Sequence, residues 1–178
     1  MMRAVALVAA LLSGQAAAAE ELRIVPPKGY CIDKGLGTAI VFVGRCEGAT
    51  QQPAALLTAA VGPPGSGAAL GSDGTPLAAF FTSGAGRKAL SRSGRAGSVR
   101  VLEAVGIGDA FLIHFTDTGP NVPGQPESWR AVLPLAGRMV TLTVTGPADA
   151  PLDRAAGRAL TEAFLRVLRN ANRTPAGG

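Results

Sequence analysis

Three groupings in this chain have the residue types and spacing to do chemistry. The first is Asp117-Thr118-Gly119, which follows the alternating apolar run 110–116. A carboxylate on a turn at a strand end can share a proton with a second carboxylate, here one from another copy, and the pair can activate water. The second is Gly84-Ala85-Gly86-Arg87-Lys88-Ala89, of the form G-x-G-x-x-A, after the apolar run 77–81. With Glu103 about 20 residues on, the spacing imitates a dinucleotide fingerprint, whose glycines let a helix N-terminus approach a pyrophosphate. The third is the basic cluster Arg87, Lys88, Arg92, Arg95 and Arg100, of which the first four are candidate contacts for an anion or an acidic partner.

Each has a plainer reading. A strand running into Asp-Thr-Gly resembles the active turn of retropepsin-like aspartic proteases, but Pro120 and Asn121-Val122-Pro123-Gly124 follow at once, which reads as a proline-rich turn. The motif also stands late, with little room for a flap before the closing elements. A dinucleotide helix would be interrupted by Ser93-Gly94, and the downstream strands pair as hairpins. The basic cluster reads equally as a solvated face. His114 alternates with Phe111, Ile113 and Phe115 and so points to the other face of its strand, and no nucleophile motif accompanies it. Trp129 and Tyr30 read as packing residues. No convergent catalytic set emerges, and no cofactor is implied.

The remaining distinctive residues are Cys31 and Cys46, the only cysteines, which flank the apolar run 38–43. Their chemistry depends on the compartment. Met1-Met2-Arg3 is a short positive segment, residues 4–12 are apolar but too few to span a bilayer, and Gln15-Ala16-Ala17-Ala18-Ala19 supplies small residues ahead of Glu20. This predicts a signal peptide over 1–19, cleaved between Ala19 and Glu20. No cysteine follows that site, which argues against a bacterial lipid anchor. No other apolar run is long enough for a membrane span, so the mature form is expected to be exported, soluble and without a transmembrane segment. The Ala, Gly and Arg bias, with Arg far ahead of Lys, suggests a bacterium of high genomic GC content and hence the periplasm. In that oxidising compartment an isolated cysteine pair reads as a disulfide. A metal site would need more ligands than one histidine supplies, and a redox pair would stand closer in sequence.

The formal charge is +5, and without Arg3 the balance is 16 basic to 12 acidic residues. That excess favours anionic partners only weakly. Aromatic residues are 4% of the chain and do not interleave with the basic ones, so nucleic acid is not an expected partner.

The elements that must position these residues follow from periodicity. Residues 22–25, 38–43 and 55–61 read as strands, and 47–49 as a turn. Residues 62–76, dense in Gly and Pro, read as a long loop, and 86–91 as a short helix. Residues 98–105 with 110–116, and 129–135 with 139–145, read as two hairpins with one face buried and one wetter. Residues 151–170 are the clearest helix: Leu152, Ala156, Leu160, Phe164 and Val167 share a face, opposite Arg154, Arg158, Glu162, Arg166, Arg169 and Arg173. The chain thus reads as one α+β domain over 20–173, an antiparallel sheet of hairpins covered by a long C-terminal amphipathic helix, with 174–178 a disordered tail.

The opening Leu22-Arg23-Ile24-Val25-Pro26-Pro27-Lys28-Gly29-Tyr30 resembles the start of PsbP-like domains, which begin with a short strand, then Pro-x-Gly and an aromatic residue. Met139 to Asn170 is similar to their final strand-to-long-helix unit, and the order of elements matches over most of the mature chain. The chain also resembles small exported alphaproteobacterial proteins of unassigned activity. The resemblance implies an α+β sandwich and a role in binding or assembly, and it carries no catalytic residues with it. The cysteine pair departs from the general family pattern. The function expected is a non-enzymatic periplasmic domain that binds a protein partner or envelope component. The alternatives are a small-ligand carrier with its pocket beneath the 62–76 loop, and a dimeric aspartic hydrolase using Asp117.

Overall fold

The structure, a computed structural model, describes residues 22–33, 40–70, 75–120 and 124–173. In chain order these form β1 (Tyr30–Asp33), β2 (Ile40–Arg45), β3 (Leu56–Val61), a 3-10 turn (Ser66–Leu70), α1 (Thr75–Thr82), α2 (Gly84–Leu90), a second 3-10 turn (Ala96–Ser98), β4 (Val99–Ile107), β5 (Ala110–Asp117), β6 (Glu127–Leu135), β7 (Arg138–Thr145) and α3 (Arg154–Ala171). The strands make one seven-stranded sheet in the order β1-β2-β3-β7-β6-β5-β4. Every neighbouring pair is antiparallel. The expected α+β class, both hairpins and the C-terminal helix are present. The β6–β7 hairpin turns on Ala136 and Gly137, both at positive φ (48° and 70°), the backbone that lets a two-residue turn match strand twist.

The layering differs from the expectation of one buried face. Residues 110–115 of β5 are all buried, so this strand lies between two layers rather than beneath one. On one side Leu112, Trp129, Ala131, Leu133, Val140, Leu142 and Val144 pack against Leu160, Phe164, Leu165 and Leu168 of α3. On the other, Phe111, Ile113, Phe115 and Val132 pack with Phe81, Leu90 and Leu70 from α1, α2 and the first 3-10 turn. Phe81 stacks on Phe111 with ring centroids 5.9 Å apart. The period-two pattern of β5 was legible, but its second apolar face belongs to a helical layer that the sequence reading divided between a loop and a short helix.

Residues 22–25, expected as a strand, have no regular structure. Pro26 and Pro27 cannot donate to a ladder, so pairing starts only at Tyr30. The segment is tied instead to the end of α3, where Arg23 N–H donates to Asn172 Oδ1 (2.7 Å) and Asn172 Nδ2 to Arg23 O (2.8 Å). The 62–76 loop is also partly ordered, with the 3-10 turn inside it and α1 beginning at Thr75. Helix α3 starts at Arg154 rather than Pro151, because Asp153 caps it: its Oδ1 accepts from Ala156 N–H at 2.7 Å. The predicted signal peptide, its Ala19–Glu20 cleavage site and the 174–178 tail lie outside the described residues.

The Cys31–Cys46 disulfide is formed, with Cα atoms 5.1 Å apart across 15 residues of chain. Closing such a loop stabilises the fold by roughly 3 kcal/mol. It is seconded by a backbone bond from Cys46 N–H to Gly29 O (3.0 Å) and by Tyr30, whose buried ring sends its hydroxyl to Pro53 O (2.8 Å). The edge strand β1 is thereby fixed to β2 at the end where the ladder starts.

Candidate functional site

Asp117 ends β5 with its side chain fully buried. Its Oδ1 accepts from Ser98 Oγ (2.6 Å) and Gly119 N–H (3.1 Å). Its Oδ2 accepts from Arg92 N–H (2.7 Å) and Ser91 Oγ (3.5 Å), with Arg92 Nε 3.8 Å away. Burial works to raise its pKa, but the hydrogen bonds from Ser98, Arg92 and Gly119 together with the Arg92 charge outweigh it and hold the carboxyl below its ordinary range. A carboxylate with both oxygens so occupied offers nothing to a second carboxylate or to water. Asp117 instead pins the segment 91–98 to the end of the sheet.

The G-x-G-x-x-A segment does not have the setting of a phosphate loop. The apolar run before it is helix α1, not a strand, and Ser83 caps α2 by accepting from Gly86 N–H at 3.1 Å. Gly86 is there for space: a Cβ on it would stand 2.0 Å from Phe80 O, so only glycine lets the two helices meet at this corner. The basic cluster does not converge. Arg87 Nη1 reaches back to Thr82 O (2.6 Å), Lys88 and Arg95 are exposed, and Arg100 sits on the edge strand β4. Nor are all the arginines of α3 a solvated stripe. Arg154 and Arg158 (Nη1 to Oε1, 2.7 Å) both hold Glu103 of β4, and Arg169 holds Asp109 in the β4–β5 turn. Hydrogen bonding from Arg154 leads the effects that lower the Glu103 pKa.

His114 does face away from Phe111, Ile113 and Phe115, into the core under α3 rather than into solvent. It stacks on Trp129 (centroids 4.4 Å apart) and shares a hydrogen bond with Glu127 Oε2 at 3.2 Å. It is a packed residue with no nucleophile beside it, and Trp129 and Tyr30 are core residues as expected.

What the fold does assemble is a cleft of about 650 Å³ on the sheet face away from α3, where the α1–α2 layer stops. Its floor follows from strand register. Leu56, Thr145, Ser128 and Phe115 lie side by side across β3, β7, β6 and β5, and Thr58, Thr143 and Arg130 make the next row. Arg45 at the end of β2, Ala54 and Ala55 before β3, Arg92 after α2, Gly124 before β6 and Gly146-Pro147 after β7 complete the lining. Of the basic cluster, only Arg92 reaches it. Among the described residues, none of the segment 62–76 lines it, and the 3-10 turn packs closely there: a Cβ on Gly67 would come within 3.1 Å of the Arg138 backbone.

Arg130 is the side chain that sequence reasoning missed. Its Nε donates to Thr143 Oγ1 (3.3 Å) and its Nη1 to Ala89 O (3.0 Å), and its guanidinium carbon lies 5.4 Å from the Phe115 ring centroid. Burial, helped by the Arg92 charge and opposed by Asp117, pulls its pKa down to about 10, so it is protonated at neutral pH. Among the described residues no carboxylate pairs with it. The signal was an arginine inside Trp129-Arg130-Ala131-Val132, where a central strand admits a charge only for a reason. The threonines at 141, 143 and 145 marked the same face. Among the described residues there is no group of carboxylates, histidines and cysteines able to hold a metal ion, and no helix is long and apolar enough to cross a membrane. The chain matches no protein-family model, and no curated protein is significantly similar to it.

Proposed function

We propose that this chain is a non-enzymatic binding domain of the periplasm, and that its receptive site is the cleft centred on Arg130. The single observation that carries this is a half-buried guanidinium without a carboxylate partner among the described residues, presented on an open sheet face beside apolar and hydroxyl side chains. Such a site suits recognition: pockets of this size take small molecules, with few polar groups fixing orientation. Its lining offers no nucleophile and base in contact. The occupant is an envelope component small enough to enter the cleft. Export rests on the signal-like N-terminus and is supported by the disulfide, a bond that persists in oxidising compartments. The PsbP-like reading rests on the Pro-Pro-Lys-Gly-Tyr opening and on the order of sheet and closing helix, and it agrees with a binding role.

A second reading, docking of a protein partner, is favoured by Leu56, 49% exposed on β3 at the cleft, and by Ile40, 42% exposed at the end of β2 farther from it. One experiment separates the two. A photo-crosslinking residue is placed at Leu56, and separately at Leu102 on the far edge of the sheet, and both are irradiated in intact host cells. The expected result is a small-molecule adduct at Leu56 and none at Leu102. A protein-sized adduct at Leu56 alone favours the second reading. Adducts at both positions, or at neither, overturn the assignment to this face.

A further inference from the structure

We infer that the cleft selects apolar monocarboxylates, with the carboxylate on Arg130 and the hydrocarbon body lying against the exposed Leu56; this rests on the binding role proposed above. Charge sets the head group. Arg45, Arg92 and Arg130 face a site in which Asp117 offsets only one of them, so the ligand it draws is an anion. Geometry sets where the head sits. Thr143 and Ala89 O hold the Nε and Nη1 of Arg130, and among the described residues Nη2 makes no hydrogen bond. A guanidinium fixed in this way offers a pre-oriented edge to a planar carboxylate.

The rest of the lining decides what the ligand is not. Ser128 Oγ and Thr145 Oγ1 bond to each other at 2.8 Å, and Thr143 Oγ1 already accepts from Arg130. These hydroxyls are largely committed, so a sugar would find too few partners for its own. Apart from Thr58 and the arginines, the side chains that remain are apolar, Leu56, Ala54, Ala55 and Pro147. Burying an alkyl chain there gains about 0.8 kcal/mol per methylene.

The test is calorimetric titration of the purified chain with octanoate, 1-octanol, acetate and inorganic phosphate. Octanoate is expected to bind saturably and at least tenfold more tightly than each of the other three. Arg130→Lys, which keeps the charge but loses the planar fork, is expected to weaken octanoate at least tenfold, and Arg100→Gln, on the edge strand β4 outside the cleft, less than threefold. Should Arg130→Lys fail to fold, Thr143→Val serves in its place, since it keeps the arginine but frees its Nε and should weaken octanoate several-fold. Phosphate or octanol binding as tightly as octanoate would overturn the ligand class, as would octanoate binding that is unchanged in Arg130→Lys or, where that variant does not fold, in Thr143→Val. No octanoate binding, with a small-molecule adduct still forming at Leu56, overturns the ligand class and leaves the binding role standing. If the adduct also fails to form, both fall.

Discussion

Replacing Asp117 by Asn changes one oxygen for an amide nitrogen and tests whether this residue is a structural anchor or a catalytic one. The two oxygens take four donors, two of them backbone N–H groups, from Arg92 and Gly119. Asn has one acceptor oxygen, so in either orientation its NH2 confronts one of those N–H donors. Ser98 and Ser91 can rotate their hydroxyls to accept, but a backbone N–H cannot. One unsatisfied buried donor costs about 1–3 kcal/mol, and the charge-assisted bonds lost with the carboxylate are worth about 1.5–3 kcal/mol each. The Arg92 guanidinium adds little, being 3.8 Å away with its side chain a quarter exposed. Because Asn keeps part of the network, the expected loss is about 3 kcal/mol at neutral pH. Urea unfolding followed by tryptophan fluorescence measures it, read as a lower midpoint at unchanged slope.

The pH dependence has a definite sign. The folded pKa of Asp117 lies below its ordinary value of 3.8, so the stability it contributes is full above that value and is lost as pH falls through the folded pKa. The gap between parent and Asp117→Asn is therefore expected to narrow below about pH 4. A variant within about 0.5 kcal/mol of the parent at neutral pH would refute the anchor, since surface substitutions give changes of that size. So would a peptide-cleaving activity abolished by the variant at unchanged stability.

Two further perturbations probe the frame around the site. Cys31→Ser is expected to lower stability by roughly 3 kcal/mol, and thiol titration of the folded parent should find no free thiol before reduction; two reactive thiols would contradict the bridge. Gly157→Ala sets about 1 kcal/mol of helix propensity against a Cβ that would stand 2.6 Å from Trp129 Cδ1, an overpacking worth about 1–3 kcal/mol. The clash should win because His114 is stacked on the buried Trp129 ring, so the melting temperature should fall; a rise would mean the ring has room to move.

The parts of the fold that were legible in the sequence are those where one local rule sufficed. Phe111, Ile113 and Phe115 announced a strand by alternation, Gly108 and Gly137 announced hairpin turns, and the spacing of Leu160, Phe164 and Val167 announced α3. What was hidden depends on long-range placement. The run Leu77-Ala78-Ala79-Phe80-Phe81 is apolar without a decisive period, and only its packing on β4 and β5 makes it the second layer. Proline misled in both directions: Pro26-Pro27 end the prospect of a first strand, while Pro151 stands three residues before a helix that Asp153 starts. The charged residues misled most, because sequence clustering is not spatial convergence. Arg87, Lys88, Arg92 and Arg95 are neighbours in the chain and part in space, whereas Arg45, Arg92 and Arg130 meet at one cleft from three separate elements.

Arg130 is also where local stability and the fold's interest diverge. A folded-state pKa near 10, well below the ordinary arginine range, means that keeping this charge at neutral pH costs the fold on the order of 3 kcal/mol. The cost persists at every pH below about 10 and fades only as the group deprotonates. Two hydrogen bonds from the charged guanidinium to neutral acceptors and a ring contact return part of it. A threonine in that place would continue the row of Thr58 and Thr143 without the penalty. A charge that a sheet face holds at a loss, and without a carboxylate partner among the described residues, is a feature that binding an anion would repay. Asp117 supports the same arrangement from the side, since the bonds that anchor segment 91–98 also hold Arg92 at the rim. The carboxylate that most resembled a catalyst in the sequence therefore serves the cleft by positioning one of its arginines.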